Sequence, residues 1–194
     1  MPVCLITGGA KSGKSDYALK LAESHSLPPT SFKDASGHLR KVTFVATAEP
    51  FDEEMAERIL RHRKERADWF QTVEEPLHVS AWLSADDSRV VVLDCLATLL
   101  GNWMHHRWVT DESSFSIAMG ALCSAVAEHS GQVIIVTNEV GMGLVPADSE
   151  SRRYRDWLGR LNAAVAAVAE EVVLLVAGVP LVVKSRSGPH GQQA

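Results

Sequence analysis

The chain has 194 residues, 46% apolar and 22% charged, which suits one domain with a sizeable core and leaves little room for a second. A formal net charge of −5 excludes a broadly basic surface, and with it general binding to nucleic acid or to an anionic membrane. No apolar stretch approaches the roughly 18 to 20 residues of a membrane span, and no charged-then-apolar leader opens the chain. The cysteines, Cys4, Cys95 and Cys123, are scattered through apolar segments and odd in number. They read as buried reduced thiols rather than a disulfide framework or zinc site, so a reducing cytoplasm is expected.

The first apolar run, Val3–Thr7, reads as a buried strand. It leads into Gly8-Gly9-Ala10-Lys11-Ser12-Gly13-Lys14-Ser15, which fills the phosphate-loop pattern GxxxxGK[ST] at every fixed position. Gly8 and Gly13 let the backbone turn tightly with its N–H groups facing inward. Lys14 reaches the outer phosphates and is a catalytic candidate, while Ser15 can ligate Mg²⁺. The helix expected over Lys14–Ser24 adds the positive end of its dipole. Gly8, Gly9, Ala10, Lys11, Ser12, Gly13, Lys14 and Ser15 together read as a nucleoside triphosphate site.

Leu27–Lys41, with Pro28, Pro29, Gly37 and several polar residues, reads as a loop or insertion ahead of a second strand, Val42–Ala46. A helix is expected over Asp52–Arg66, acidic in its first turn and basic in its last, as the helix dipole favours. On it Met55, Ile59 and His62 stand at i, i+4 and i+7, so the apolar stripe ends in a histidine flanked by Arg61, Arg63 and Lys64. Two readings stay open. His62 can face a bound triphosphate as a neutral, nucleophilic imidazole, because neighbouring cations disfavour imidazolium and can hold phosphate oxygens. Alternatively the helix face is solvated, with Glu54 pairing Arg58, Glu57 pairing Arg61, and His62 incidental.

A third strand, Arg89–Leu93, ends at Asp94, where a phosphate-loop protein usually puts the acid that supports Mg²⁺, although an Asp there can also cap a turn. His105 and His106 sit beside Trp103 and Trp108 without the Cys/Asp/Glu spacing of a metal site and read as a surface or subunit contact. A helix over Ser113–His129 precedes a fourth strand, Gln132–Thr137. The loop running on to Pro146 carries Gly141, Gly143 and Glu139 at the strand's carboxyl end, where open α/β sheets bind ligands. A helix over Ser149–Glu170 follows, then two runs, Val172–Ala177 and Leu181–Lys184, separated by Gly178 and Pro180 and able to close as a hairpin. The tail Ser185–Ala194 lacks apolar periodicity and is expected to fray. The alternation of strand and helix predicts an α/β fold with parallel crossovers, as one catalytic domain over 1–184 and a flexible tail over 185–194.

These pieces in this order resemble the bifunctional adenosylcobinamide kinase and adenosylcobinamide-phosphate guanylyltransferase family of cobalamin biosynthesis. The resemblance rests on Gly8–Ser15, on Ala46-Thr47-Ala48 with Asp52-Glu53-Glu54-Met55, and on Arg58-Ile59 leading to His62. It extends over Thr72-Val73-Glu74-Glu75-Pro76, Leu93-Asp94-Cys95-Leu96, Asn138-Glu139-Val140-Gly141, Val145-Pro146, and Arg155-Asp156 with Gly159 and Asn162. It implies a RecA-like P-loop NTPase fold, a mostly parallel sheet flanked by helices. It also implies phosphorylation of the cobinamide aminopropanol hydroxyl by ATP or GTP, then transfer of GMP from GTP to give adenosylcobinamide-GDP through a guanylylated His62. The nucleotide contacts it implies are Gly8 to Ser15, Ala46, Thr47, Ala48, Arg63, Lys64, Glu65, Arg66, Glu74 and Asp94, with Mg²⁺ at Ser15 and Asp94. A corrinoid substrate and a homotrimer are implied as partners. Leu27–Lys41 is longer than usual for the family, and Ala163 replaces a common glutamine. Rival readings predict other behaviour: a plain small-molecule kinase moves the γ-phosphate without a covalent nucleotide, and a nucleotide-dependent switch hydrolyses slowly without corrinoid affinity.

Overall fold

Strands apolar along their whole length need cover on both faces, and the central strands of this protein receive it. The computed structural model describes residues 2–26, 42–51, 53, 56, 57 and 70–185. Most of the predicted helix Asp52–Arg66, the segment Leu27–Lys41 and the tail beyond Ser185 lie outside the described residues. Within them seven strands form one sheet: β1 Val3–Gly8, β2 Val42–Ala46, β3 Gln71–Glu74, β4 Val90–Asp94, β5 Gln132–Val136, β6 Glu171–Val176 and β7 Val179–Lys184. Their spatial order is β3-β2-β4-β5-β1-β6-β7, and every neighbouring pair is parallel except the antiparallel β6 and β7. The described helices are α1 Lys14–Ser26, α2 Val79–Ala85, α3 Leu96–His105, α4 Glu112–Glu128 and α5 Ser149–Val168.

Successive residues of a strand point to opposite faces, and the core divides accordingly. Val3 and Leu5 of β1 join Val91, Leu93, Val133 and Ile135 on the face covered by α2 to α5. Cys4 and Ile6 join Val90, Val92, Ile134 and Val136 on the other face, against Ala18 and Ala22 of α1. Two alanines one turn apart let α1 lie close to β1, β4 and β5. Each large aliphatic side chain buried in these layers contributes about 1.5–3 kcal/mol before chain entropy is counted. Phe115 of α4 stacks on Trp157 of α5 with ring centroids 4.9 Å apart, which joins the two longest described helices. Both helices start at an aspartate: Asp111 accepts from Ser114 N at 2.8 Å and Asp148 from Ser151 N at 2.7 Å. These bonds hold both carboxyls below the usual aspartate range.

Register brings the carboxyl ends together. Ala46 lies opposite Asp94, Asp94 opposite Val136, and Ile6 opposite Val136, so the turns leaving β1, β2, β4 and β5 open on one edge of the sheet. The predicted strands and the closing hairpin are present, with three departures. β7 begins at Val179 rather than Leu181, because Pro180 is tolerated in a strand that ends a sheet. β3 occupies a stretch for which no strand is expected. α2 and α3 occupy stretches for which no helix is expected.

Candidate functional site

The phosphate loop is shaped first by two glycines. Gly8 has φ 151°, and a Cβ there would lie 2.5 Å from the Leu175 carbonyl oxygen and 2.9 Å from Ser12 Oγ. Gly13 has φ 89° in open space, so its conformation rather than crowding calls for glycine. The loop is fastened from three directions. Glu139 N donates to Gly8 O at 3.0 Å, Gly178 N to Ser12 O at 3.2 Å, and Tyr17 N to Gly13 O at 3.0 Å as α1 begins. Gly9, Ala10 and Lys11 are exposed on the rim, while Ser12 and Lys14 are buried. Lys14 Nζ donates to Gly9 O at 2.5 Å, which curls the ammonium back over its own loop. Ser12 Oγ is buried without a hydrogen-bond partner among the described residues.

The turn after β2 carries Ala46, Thr47 and Ala48 and is fixed to its neighbour strand. Thr47 N donates to Asp94 O at 3.1 Å. Thr47 Oγ1 accepts from Cys95 N at 2.8 Å and donates to Cys95 O at 2.9 Å. Burial, then the adjacent Asp94, pushes the Cys95 thiol up, so it stays protonated and caps α3 rather than acting as a nucleophile. Glu74 ends β3 opposite Ala46, and the next residue is tied to the same turn by Glu75 N donating to Ala46 O at 3.0 Å. Asp94 ends β4 two strands from β1, at the level of Val136 and Ile6. Neighbouring strands stand about 4.8 Å apart, so the Asp94 backbone is on the order of 10 Å from the root of the loop, a span a nucleotide's phosphates and a hydrated cation can bridge. One hydroxyl, Ser15, and one carboxylate, Asp94, are hard oxygen donors that suit Mg²⁺. Among the described residues no three His, Cys, Asp or Glu side chains gather as a metal cage.

The structure therefore gathers Gly8 to Ser15, Ala46 to Ala48, Glu74 and Asp94 on one edge. His62, Arg63, Lys64, Glu65 and Arg66 lie outside the described residues. Two side-chain amides hold this edge in place: Asn102, which no sequence motif marks, and Asn162, which enters the sequence reading only through the family resemblance. Asn102 of α3, buried, donates from Nδ2 to Thr47 O at 2.7 Å and to Pro76 O at 3.0 Å. Asn162 of α5 accepts from Thr137 Oγ1 at 2.7 Å and donates to Asn138 O at 3.0 Å. Each fixes the chain leaving a strand, β2 in one case and β5 in the other. His105 and His106 do form a surface cluster: His106 Nε2 meets Glu49 Oε2 at 2.7 Å, and Phe51 stands edge-on to His105.

A family model described as cobinamide kinase / cobinamide phosphate guanyltransferase matches residues 4–183. The chain is 34% identical over 192 residues to the bifunctional adenosylcobalamin biosynthesis protein CobU of Escherichia coli, covering 93% of this chain and 98% of that protein. It is 37% identical over 182 residues to the corresponding protein CobP of Pseudomonas aeruginosa, covering 93% and 96%. A KaiC-like protein of the archaeon Pyrococcus horikoshii has the same fold, with a TM-score of 0.53 at 15% identity over 99% of this chain and 82% of that one.

Proposed function

The chain belongs to the cobinamide kinase / cobinamide phosphate guanyltransferase family, whose two activities are those the resemblance implies, and from that premise we propose that one nucleotide site on the carboxyl edge of the sheet serves both reactions. The observation that carries this reading is the convergence of the phosphate loop, the Thr47 turn and Asp94 on that edge. Ser12 adds support, since a buried hydroxyl without a partner is costly unless a ligand completes its bonding.

In the kinase step the cobinamide hydroxyl forms a bond to the γ-phosphorus of ATP or GTP, the bond to the β-phosphate oxygen breaks, and nucleoside diphosphate leaves. Backbone N–H groups of residues 8–15 and the start of α1 receive phosphate oxygens, and the Lys14 ammonium neutralises charge on the outer phosphates as it builds. In the transferase step the His62 imidazole bonds to the α-phosphorus of GTP and pyrophosphate departs. The phosphate of cobinamide phosphate then takes that phosphorus, releasing His62 and forming adenosylcobinamide-GDP. Arg63, Lys64, Glu65 and Arg66 border the nucleotide beside His62, and Glu74 and Ala46 to Ala48 border it from β3 and β2. Ser15 and Asp94 would hold Mg²⁺, which would supply charge neutralisation at the phosphate oxygens.

The enzyme works as a single domain over 1–184 with its tail beyond, as a homotrimer in the cytoplasm. Free Cys4, Cys95 and Cys123 support a reducing compartment, and the exposed apolar strand β7 supports self-association. No described helix is long and apolar enough to cross a membrane. The test is to incubate protein with Mg²⁺ and GTP labelled at the α- or the γ-phosphate, denature it and count bound label, comparing wild type with His62→Ala. Acid-labile α-label on wild type only is expected; no α-label on wild type would sink the covalent step and leave a kinase.

A further inference from the structure

We propose that residues 141–147, the loop after β5, form an apolar lip that holds the corrin macrocycle while its side chain reaches the nucleotide. The proposal rests on the function above for its ligand, and on three observations for its place. First, the loop's root is bonded to β1 and to the first residue of the phosphate loop: Thr137 N donates to Ile6 O at 2.9 Å and Glu139 N to Gly8 O at 3.0 Å. Second, Met142, Leu144 and Val145 are 83%, 97% and 68% exposed, three large apolar side chains within four residues, where scattered single ones would be ordinary. Third, the loop is held rigid while it exposes them. Gly141 N donates to Glu139 Oε1 at 2.6 Å, Arg155 Nη2 donates to Gly141 O at 2.5 Å, and Arg152 Nη1 donates to Pro146 O at 3.0 Å. Two arginines of α5 thus fix the ends of an apolar tip, and a preformed surface loses little entropy when it is covered.

The substrate's chemistry selects the occupant. Cobinamide is a broad macrocycle with a methyl-rich rim, and its reacting hydroxyl lies at the end of a short side chain. That hydroxyl, and later its phosphate, must approach phosphorus held at residues 8–15, while the macrocycle is far broader than the side chain that carries the hydroxyl. The rim must therefore rest against chain that flanks the phosphate loop, and on the β5 side the chain running on from the Glu139–Gly8 bond exposes Met142, Leu144 and Val145. Methyl and methylene contacts there orient the side chain inward.

The test measures cobinamide binding directly by calorimetry, with GTP affinity, α-phosphate labelling and oligomeric mass read in parallel, for wild type, Leu144→Ser and the double variant Met142→Ser/Leu144→Ser. Both positions are exposed, so the fold should tolerate the changes. Loss of one buried aliphatic contact is expected to weaken cobinamide about tenfold, and loss of two further, with GTP affinity unchanged. Unchanged cobinamide affinity overturns the lip while leaving the nucleotide chemistry standing. An equal loss of GTP affinity overturns it by assigning the loop to the phosphate loop's support. A fall in oligomeric mass overturns it by making the tip a subunit contact. Weakened cobinamide binding in a protein that takes no α-label supports the lip and sinks the covalent step; no cobinamide binding by wild type overturns the lip whether or not label is taken.

Discussion

Gly8 controls the phosphate loop because its φ of 151° and its neighbours agree: any Cβ would meet the Leu175 carbonyl oxygen at 2.5 Å, and that oxygen belongs to a sheet strand that cannot move aside. Gly9, one residue on, has nothing within 4 Å of a built Cβ. Gly8→Ala is therefore expected to destabilise the protein by roughly 1–3 kcal/mol, and Gly9→Ala to change stability by less than about 0.5 kcal/mol, read from urea unfolding midpoints. Equal midpoints for the two variants would show that the close approach is not felt. The contrast also shows why the loop was legible in the sequence. Phosphate binding dictates residue type at fixed spacing, so Gly8, Gly13, Lys14 and Ser15 declare themselves. Asn102 serves carbonyls 55 and 26 residues away from within an apolar run, and no local pattern records such partners.

At the level of elements, β4 and β5 were legible because buried parallel strands are written as unbroken Val and Ile. α3 was not, for a related reason. Leu96, Ala97, Leu99, Leu100, Asn102 and Trp103 are all buried, and so short a run of mostly apolar residues reads as buried strand or buried helix alike. β3 is a four-residue edge strand with two exposed ends, too short and too polar to stand out. Yet α3 positions the site. It lies against the chain leaving β2, where Asn102 holds Thr47 O and Pro76 O while Trp103 Nε1 donates to Leu77 O at 2.9 Å. Asn102→Leu keeps the volume close and removes the donor, leaving the Thr47 carbonyl buried without it. That is expected to cost about 1–3 kcal/mol and to raise the KM for GTP, since the Thr47 turn borders the proposed site. Unfolding curves and GTP kinetics on the same preparation check it; a variant of wild-type stability and KM would remove the pinning role from α3.

Across the whole molecule the two edges of the sheet have different tasks. On the amino edge His129, buried, accepts from Gly131 N at 3.0 Å through Nδ1 and donates from Nε2 to Asp86 at 3.1 Å, joining the end of α4 to the end of α2 far from the chemistry. On the carboxyl edge the turns that leave β1, β2, β4 and β5 meet. At one end of the strand order β7 is exposed along its whole length, with Val179 65%, Leu181 57% and Val183 59% exposed on one face. Lys184 Nζ donates to Ala166 O at 2.9 Å, which clasps the strand's end to α5 and keeps the apolar row in place. An exposed apolar strand that ends a sheet attracts a partner unless something covers it, and a second copy of the chain is the cover that a homotrimer would provide. Leu181→Lys combined with Val183→Lys should lower the mass measured by light scattering toward that of one chain. Ile117→Lys, at a site 71% exposed on α4, should leave it unchanged and so separate a specific contact from a general effect of added charge. If the β7 variant keeps the wild-type mass, β7 is not a subunit contact and its exposure needs another explanation.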